Sequence, residues 1–244
     1  MSKTLGILAG LGPLAGAHFY RRVIELTPSR SDDGHLSVVL MADRTVPSRL
    51  EHLAGRGPSP VPALTAMARR LVAAGAEVLA IPSSTTHAYY ADIAASVPVP
   101  VLNLIDLVAR EIGRRGAERV GIVATTPTRA VGLYDRALAS RGIAAVYPDD
   151  PTQREIMAII DGVKVAGHHG EWGRRLTAAM RAKWAEGTDG LVLACTETPV
   201  VFPRGESPEP PWPSPIFDAS DILARAAIVA CQHETPRGDG DIRS

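Results

Sequence analysis

Cysteine is almost absent from the chain: two residues, Cys195 and Cys231, in 244. Two thiols cannot build a disulfide framework, and neither sits at the spacing of a zinc cluster. Aromatic residues are scarce at 5%, and neither sign of charge is in surplus, with Lys+Arg 26 against Asp+Glu 26. A chain with no basic excess has no electrostatic footprint for nucleic acid or for an acidic membrane surface. Long apolar runs are missing too. None approaches the ~20 residues of a membrane span. The opening MSKTLGILAGLGP breaks its apolar stretch with glycines and lacks the h-region and cleavage site of a signal peptide. A composition of 45% hydrophobic and 21% charged residues excludes global disorder. These absences predict a cytoplasmic globular protein that binds neither nucleic acid nor membrane.

What is present is alternation. Short apolar runs read as strands at Thr4–Ala9, Leu36–Met41, Glu77–Ile81, Val99–Leu102, Arg119–Val123, Ala144–Val146 and Gly190–Leu193. The runs are continuous rather than period-two, which is the pattern of strands covered on both faces of a parallel sheet. Helical stripes lie between them: Leu64, Met67, Ala68, Leu71 and Val72 within Pro62–Ala74, Ile156, Ile159, Ile160 and Val163 within Asp150–Val165, and Trp172, Leu176, Met180 and Trp184 within Glu171–Glu186. Strand and helix in turn predict an α/β fold.

The chain also echoes itself. Gly6–Gly10 is followed by Leu79–Thr86, and at a similar interval Gly121–Thr126 is followed by Leu193–Glu197. Each half thus offers two strand ends that open into small, hydroxyl-rich loops, and ligands of parallel sheets sit outside the carboxyl ends of strands. Two such halves facing each other enclose a site. The expected division is residues 1–105 for the first half, 106–215 for the second, and a terminal helix over 216–233 that completes the first half. Pro203–Pro215 reads as a loop and residues 234–244 as a frayed tail.

Gly10-Leu-Gly12, between a strand and a helix, superficially fits a dinucleotide fingerprint. Its third glycine is Gly16, which gives GxGxxxG instead of GxGxxG, and Pro13 removes an N–H donor. A tight turn that aims a helix N-terminus at a carboxylate is the better use. Cys195 ends an apolar strand ahead of Thr196-Glu197, and a following helix N-terminus would lower its thiol pKa from about 8.5. Cys231, inside an apolar helical run, reads as a small buried hydrophobe. His168 and His169 with Glu171 do not make a metal site, since adjacent side chains point apart and no third ligand has the spacing. Trp172 and Trp184 read as core or interface residues.

Gly6-Ile-Leu-Ala-Gly10-Leu-Gly12-Pro-Leu14, Ile81-Pro-Ser83-Ser-Thr85-Thr-His87 and Ala194-Cys195-Thr-Glu197 resemble the signature stretches of the aspartate/glutamate racemase family. Val46-Pro-Ser-Arg49, Ala124-Thr-Thr126 and Gly162-Val-Lys164 fall where that family contacts substrate. The resemblance runs from about residue 4 to 230. It implies two similar flavodoxin-like or Rossmann-like parallel-sheet domains related by a pseudo-two-fold axis, a site between them, no pyridoxal phosphate or other cofactor, no metal, and a homodimer. It implies racemisation of an acidic amino acid, aspartate or glutamate, by two acid–base groups on opposite faces of the α-carbon. A planar carbanion needs a group on each side, matched in proton affinity. The resemblance assigns Cys195 and Ser83 to those faces. It assigns Gly10, Ser84, Thr85, Thr126, Thr196 and Glu197 to the substrate-contacting loops, and Arg49 and Lys164 to the distal carboxylate. His87 matches a family histidine and reads as a structural holder of its loop. The departure is Ser83, which stands where the family carries its first cysteine. Each pK unit of mismatch costs about 1.4 kcal/mol. Open alternatives are a racemase that works with a hydroxyl on one face, a one-base decarboxylase or isomerase of a dicarboxylate using Cys195, a protein that only binds dicarboxylates, and a serine introduced to trap substrate.

Overall fold

The computed structural model describes residues 2–166, 170–184, 187–201 and 215–232. The first half runs β1 (Leu5–Ala9), α1 (Pro13–Leu26), β2 (Val38–Ala42), α2 (Arg49–Leu53), α3 (Val61–Ala73), β3 (Val78–Ala80), α4 (Tyr90–Ala95) and α5 (Leu104–Arg114). The second runs β4 (Arg119–Val123), α6 (Thr126–Val131), α7 (Leu133–Ala139), β5 (Ala144–Val146), α8 (Asp150–Ala166), α9 (Gly170–Trp184), β6 (Gly190–Leu193) and β7 (Ile216–Asp218), and the terminal helix α10 (Ala219–Gln232) packs back on α1 and β3 of the first half. The strands form two sheets in the orders β2-β1-β3 and β5-β4-β6-β7, and every ladder is parallel. The internal echo is therefore topological: the founding strand of each half, β1 or β4, lies between the next two.

Two differences from the sequence reading have local causes. Val99–Leu102 is reduced to a single bridge between Val101 and Leu79. Pro98 and Pro100 flank it and have no N–H to give to a ladder, so only the Pro100 carbonyl accepts, from Leu79 N, while Leu102 N donates to the Leu79 carbonyl, each at 2.8 Å. Ile216–Asp218, expected as the start of the terminal helix, is instead strand β7, in register with Leu191–Leu193. Ile and Phe favour the pleat, and Asp218 then starts the helix, its Oδ1 accepting from Ser220 N at 2.7 Å and Asp221 N at 3.3 Å. The bridge at Val101 occupies beside β3 the place that β7 occupies beside β6. Helices α5 and α10, which come next in the chain after them, pack on each other, α10 also on α1 and α5 also on α7.

The helical stripes are buried as their spacing requires. Ile156, Ile159, Ile160 and Val163 of α8 close on Leu176 and Met180 of α9, all at most 1% exposed. Each such side chain contributes about 1.5–3 kcal/mol relative to exposure. Trp172 packs against this cluster, under the Arg175 guanidinium at 4.8 Å. The largest core joins both halves: Leu5, Ile7 and Phe19 share it with Val120, Ile122, Tyr134, Val192 and Leu223. Cys231 is buried in it. Residues 202–214 and 233–244, His168 and His169, and the side chain of Trp184 lie outside the described parts of the chain. Among the described residues no helix is long and apolar enough to cross a membrane.

Candidate active site

The loops leaving the carboxyl ends of the strands meet in one cavity of about 510 Å³. Gly10, Leu11, Gly12 and Pro13 follow β1, Arg44, Val46, Ser48, Arg49 and Leu50 follow β2, and Ser83, Ser84 and Thr85 follow β3. The second half supplies Thr125 after β4, Lys164 from α8, and Cys195, Thr196 and Glu197 after β6. Gly10 makes the first turn possible. Its φ is +79°, and a Cβ there would stand 3.0 Å from the Asp43 backbone nitrogen.

The β3 and β6 loops bond reciprocally. Ser84 Oγ donates to the Ala194 carbonyl, and Thr196 Oγ1 donates to the Pro82 carbonyl at 3.0 Å. Residue 84 reaches 194 as 196 reaches 82, so the two loops are related by a local two-fold, and Ser83 and Cys195 are its equivalent middle residues. A further tie between the halves joins Thr85 Oγ1 to Thr128 Oγ1 at 2.8 Å and Thr125 Oγ1 at 3.2 Å.

These bonds revise two expectations. Ser84 and Thr196 line the cavity, yet each has one hydroxyl proton, and that proton is committed to a backbone carbonyl across the cleft. They fasten the loops together instead of donating to a ligand carboxylate. Thr126 does not line the cavity at all. It is exposed, and its Oγ1 accepts from Gln153 Nε2 at 3.3 Å. Its neighbour Thr125 is the N-cap of α6, with its side chain accepting from Thr128 N, and that cap turns Thr125 inward and Thr126 outward. Pro127 gave no warning of this: proline favours the first helical position, which would make Thr126 the cap, whereas here it is the second residue of the helix. Arg44 and Leu50 were also missed, although the rule that ligands collect at strand ends covers the loop after β2.

Cys195 is 5% exposed, and its Sγ donates to Glu197 Oε2 at 3.0 Å. Burial first, and then the Glu197 carboxylate, push its thiol well above the usual range, against a smaller pull from the Lys164 charge. The lowered pKa expected from a helix N-terminus is overturned. Among the described residues the next helical element after Cys195 is a four-residue 3₁₀ turn, Thr198–Val201, too short to present a helix dipole. Glu197 is itself buried, and its Oε1 lies 2.1 Å from where a Cβ on Gly12 would stand. Gly12 is the space that the carboxylate needs.

On the other loop, Ser83 Oγ accepts from Thr86 Oγ1 at 2.8 Å and is 3.5 Å from the Leu11 carbonyl. His87 does not reach it. The imidazole Nδ1 is 2.8 Å from the Ser83 carbonyl and Nε2 accepts from Leu104 N at 3.0 Å, so the ring is neutral with its proton on Nδ1. Burial holds its pKa down at about 4. It ties the Ser83 loop to the start of α5. Arg49, at the first position of α2, donates Nη2 to the Leu11 carbonyl at 2.5 Å and Nη1 to Pro47 O at 3.4 Å, while its buried Nε has no partner. Lys164 stands at the rim, 3.4 Å from Asp161. Among the described residues three cations, Arg44, Arg49 and Lys164, thus share the cavity with one carboxylate, Glu197.

Comparisons with known proteins bear on the whole chain. The sequence model described as Asp/Glu/Hydantoin racemase matches residues 8–227. An aspartate racemase of Picrophilus torridus has the same fold with a TM-score of 0.80 and 28% identity, over 94% of each chain. An aspartate racemase homologue of Pyrococcus horikoshii OT3 has a TM-score of 0.72 and 26% identity, over 95% of this chain and 100% of its own. A broad-specificity amino-acid racemase of Bacillus subtilis is 24% identical over 235 residues, covering 92% of this chain and 96% of its own.

Proposed function

The chain belongs to the Asp/Glu/Hydantoin racemase family, and from that premise we propose that it is a cofactor-independent racemase of an acidic amino acid, aspartate or glutamate, in which Cys195 and Ser83 serve opposite faces of the α-carbon. The reading is carried by the reciprocal bonding of the two loops, which makes residues 83 and 195 equivalent across one cavity. The cations support an acidic substrate. Arg49 has an unpartnered buried Nε for a distal carboxylate, with Arg44 and Lys164 nearby. Backbone N–H groups of the Ser83 and Cys195 loops hold the α-carboxylate and stabilise the charge that develops there.

The two faces are unequal. The Cys195 thiol passes its proton to Glu197 Oε2, and the resulting thiolate removes the α-proton. The carbanion takes a proton from the Ser83 hydroxyl, which is replenished from solvent. In the reverse sense a serine hydroxyl must become a base, and among the described residues nothing in contact with its oxygen is basic enough to help: Thr86 donates to it and both ring nitrogens of His87 are occupied. Enantiomers are equal in free energy in water, so kcat/KM is the same in both directions however unequal the faces. The asymmetry appears in exchange. In D₂O the enantiomer that presents its α-hydrogen to Cys195 exchanges it many times per inversion, and its mirror image exchanges no faster than it inverts. Proton NMR of each enantiomer reads both rates, and Cys195→Ala abolishes them. Absence of exchange and inversion with aspartate, glutamate and their homologues overturns the reading.

The isolation of Ser83 from any base favours one second reading, protonation from Cys195 alone after loss of CO₂ from a malonate-type dicarboxylate. Gas release from such an acid without α-exchange of amino acids identifies it. For assembly and location we read a cytoplasmic homodimer. In support, β2 is an edge strand with Leu40 exposed, a surface that a second copy would cover. A sedimentation mass of one chain would remove the dimer.

A further inference from the structure

Behind the floor of the cavity, outside its lining, lies a buried phenol. Tyr134 of α7 is fully buried, and its hydroxyl is 3.0 Å from Ser84 Oγ. Since Ser84 gives its one proton to the Ala194 carbonyl, which can only accept, the Tyr134 hydroxyl is the donor to Ser84. A relay of two hydrogen bonds therefore leaves the second half at α7, crosses to the first half at Ser84, and returns to the peptide that joins Ala194 to Cys195. The opposite end of that peptide is held as well, because Cys195 N donates to the Val123 carbonyl at 3.0 Å. With both polar ends fixed, the plane cannot turn, and its rotation is the motion that would swing the Cys195 side chain across the cleft. The Ser83 peptide is held similarly, by Thr196 on the Pro82 carbonyl and by Ser83 N on the Ile81 carbonyl at 2.8 Å. Among the described residues only the Cys195 side carries the third member, a phenol whose proton burial holds in place.

We propose that Tyr134 is a positioning residue for Cys195, acting through Ser84 and the Ala194 carbonyl without touching substrate. The proposal rests on the racemase reading and adds to it what sets the distance of the sulfur from the α-carbon. Misplacement of a reacting group by a fraction of an ångström is felt in the chemical step and hardly in binding. Tyr134→Phe keeps the packing and removes the donor. It lowers kcat about tenfold and leaves KM within about twofold. Ser84→Ala lowers kcat at least as much, and the double variant is no worse than Ser84→Ala alone, because both losses break one relay. Circular dichroism and thermal midpoints establish that all three variants are folded.

An unchanged kcat in Tyr134→Phe overturns the proposal, as does a rise in KM alone, or a double variant that falls by the product of the single losses. If the unsubstituted chain shows neither exchange nor inversion, the racemase reading fails by itself. The relay is then read on Cys195 directly, by the pH dependence of its alkylation followed by peptide mass. Loosening the peptide relaxes the thiol away from Glu197, so the midpoint falls in Tyr134→Phe and in Ser84→Ala and falls no further in the double variant. An unmoved midpoint in either single variant overturns the relay.

Discussion

A buried thiol next to a buried carboxylate is an unpromising base until a proton has somewhere to go. In the reaction proposed above that destination is Glu197, whose carboxylate adds to burial in raising the Cys195 thiol pKa. The sign of the effect is testable. Glu197→Gln removes the negative charge, so the alkylation midpoint of Cys195 falls, while α-proton exchange slows because the acceptor is gone; a midpoint that rises or stays contradicts the pairing. At the other face in the same proposal the limiting property is the Ser83 hydroxyl. Ser83→Cys raises inversion at least about tenfold, since a thiol reduces a mismatch that costs about 1.4 kcal/mol per pK unit, and leaves exchange at the Cys195 face nearly as it was. NMR in D₂O separates the two rates.

Elements bring these residues together by how closely they approach. Helix α1 begins over Glu197, and Gly12 leaves its carboxylate room. Gly12→Ala therefore displaces the carboxylate from Cys195 and reproduces the lowered alkylation midpoint of Glu197→Gln without touching either side chain. The Ser83 loop is anchored to α5 by His87, whose neutrality is built into the fold. Burial holds its pKa at about 4 against 6.5 for the free side chain. As pH falls below 6.5 the unfolded chain takes the proton and the folded one does not, so up to about 3 kcal/mol of stability is lost by pH 4, and no more below it. His18, buried beside Arg21 and also lowered to about 4, acts in the same sense. Asp218 acts oppositely: burial pushes it up to about 7, so the folded chain holds a proton that the unfolded one has lost. The His87 share is isolated by comparison. Urea midpoints of His87→Asn vary less between pH 7 and pH 4.5 than those of the unsubstituted chain, and equal variation refutes the assignment.

At the scale of the molecule, the two halves are joined three times: by a common core, by the hydroxyl ties of the cleft floor, and by α5 and α10 packed together. Cores shared in this way do not melt separately. Urea unfolding followed by circular dichroism and by tryptophan fluorescence gives superimposable single transitions; two separate midpoints would show that the halves are independent.

Sequence alone determined the alternation of strand and helix, because hydrophobic period is a local property: β4, β5 and β6 begin and end where their apolar runs do. Much of the cavity lining was legible as well, partly because loops at strand ends carry ligand-facing residues in a parallel sheet, and for Arg49 and Lys164 only through the family resemblance. Sequence alone misassigned Ile216–Asp218, which is a strand only because β6 lies alongside it, and it put Thr126 where Thr125 faces the cavity. The protonation of Cys195, the commitment of the Ser84 and Thr196 hydroxyls and the reach of Tyr134 were decided by tertiary structure. Each depends on a partner far away in the chain or on burial by other elements, and neither leaves a trace in local pattern.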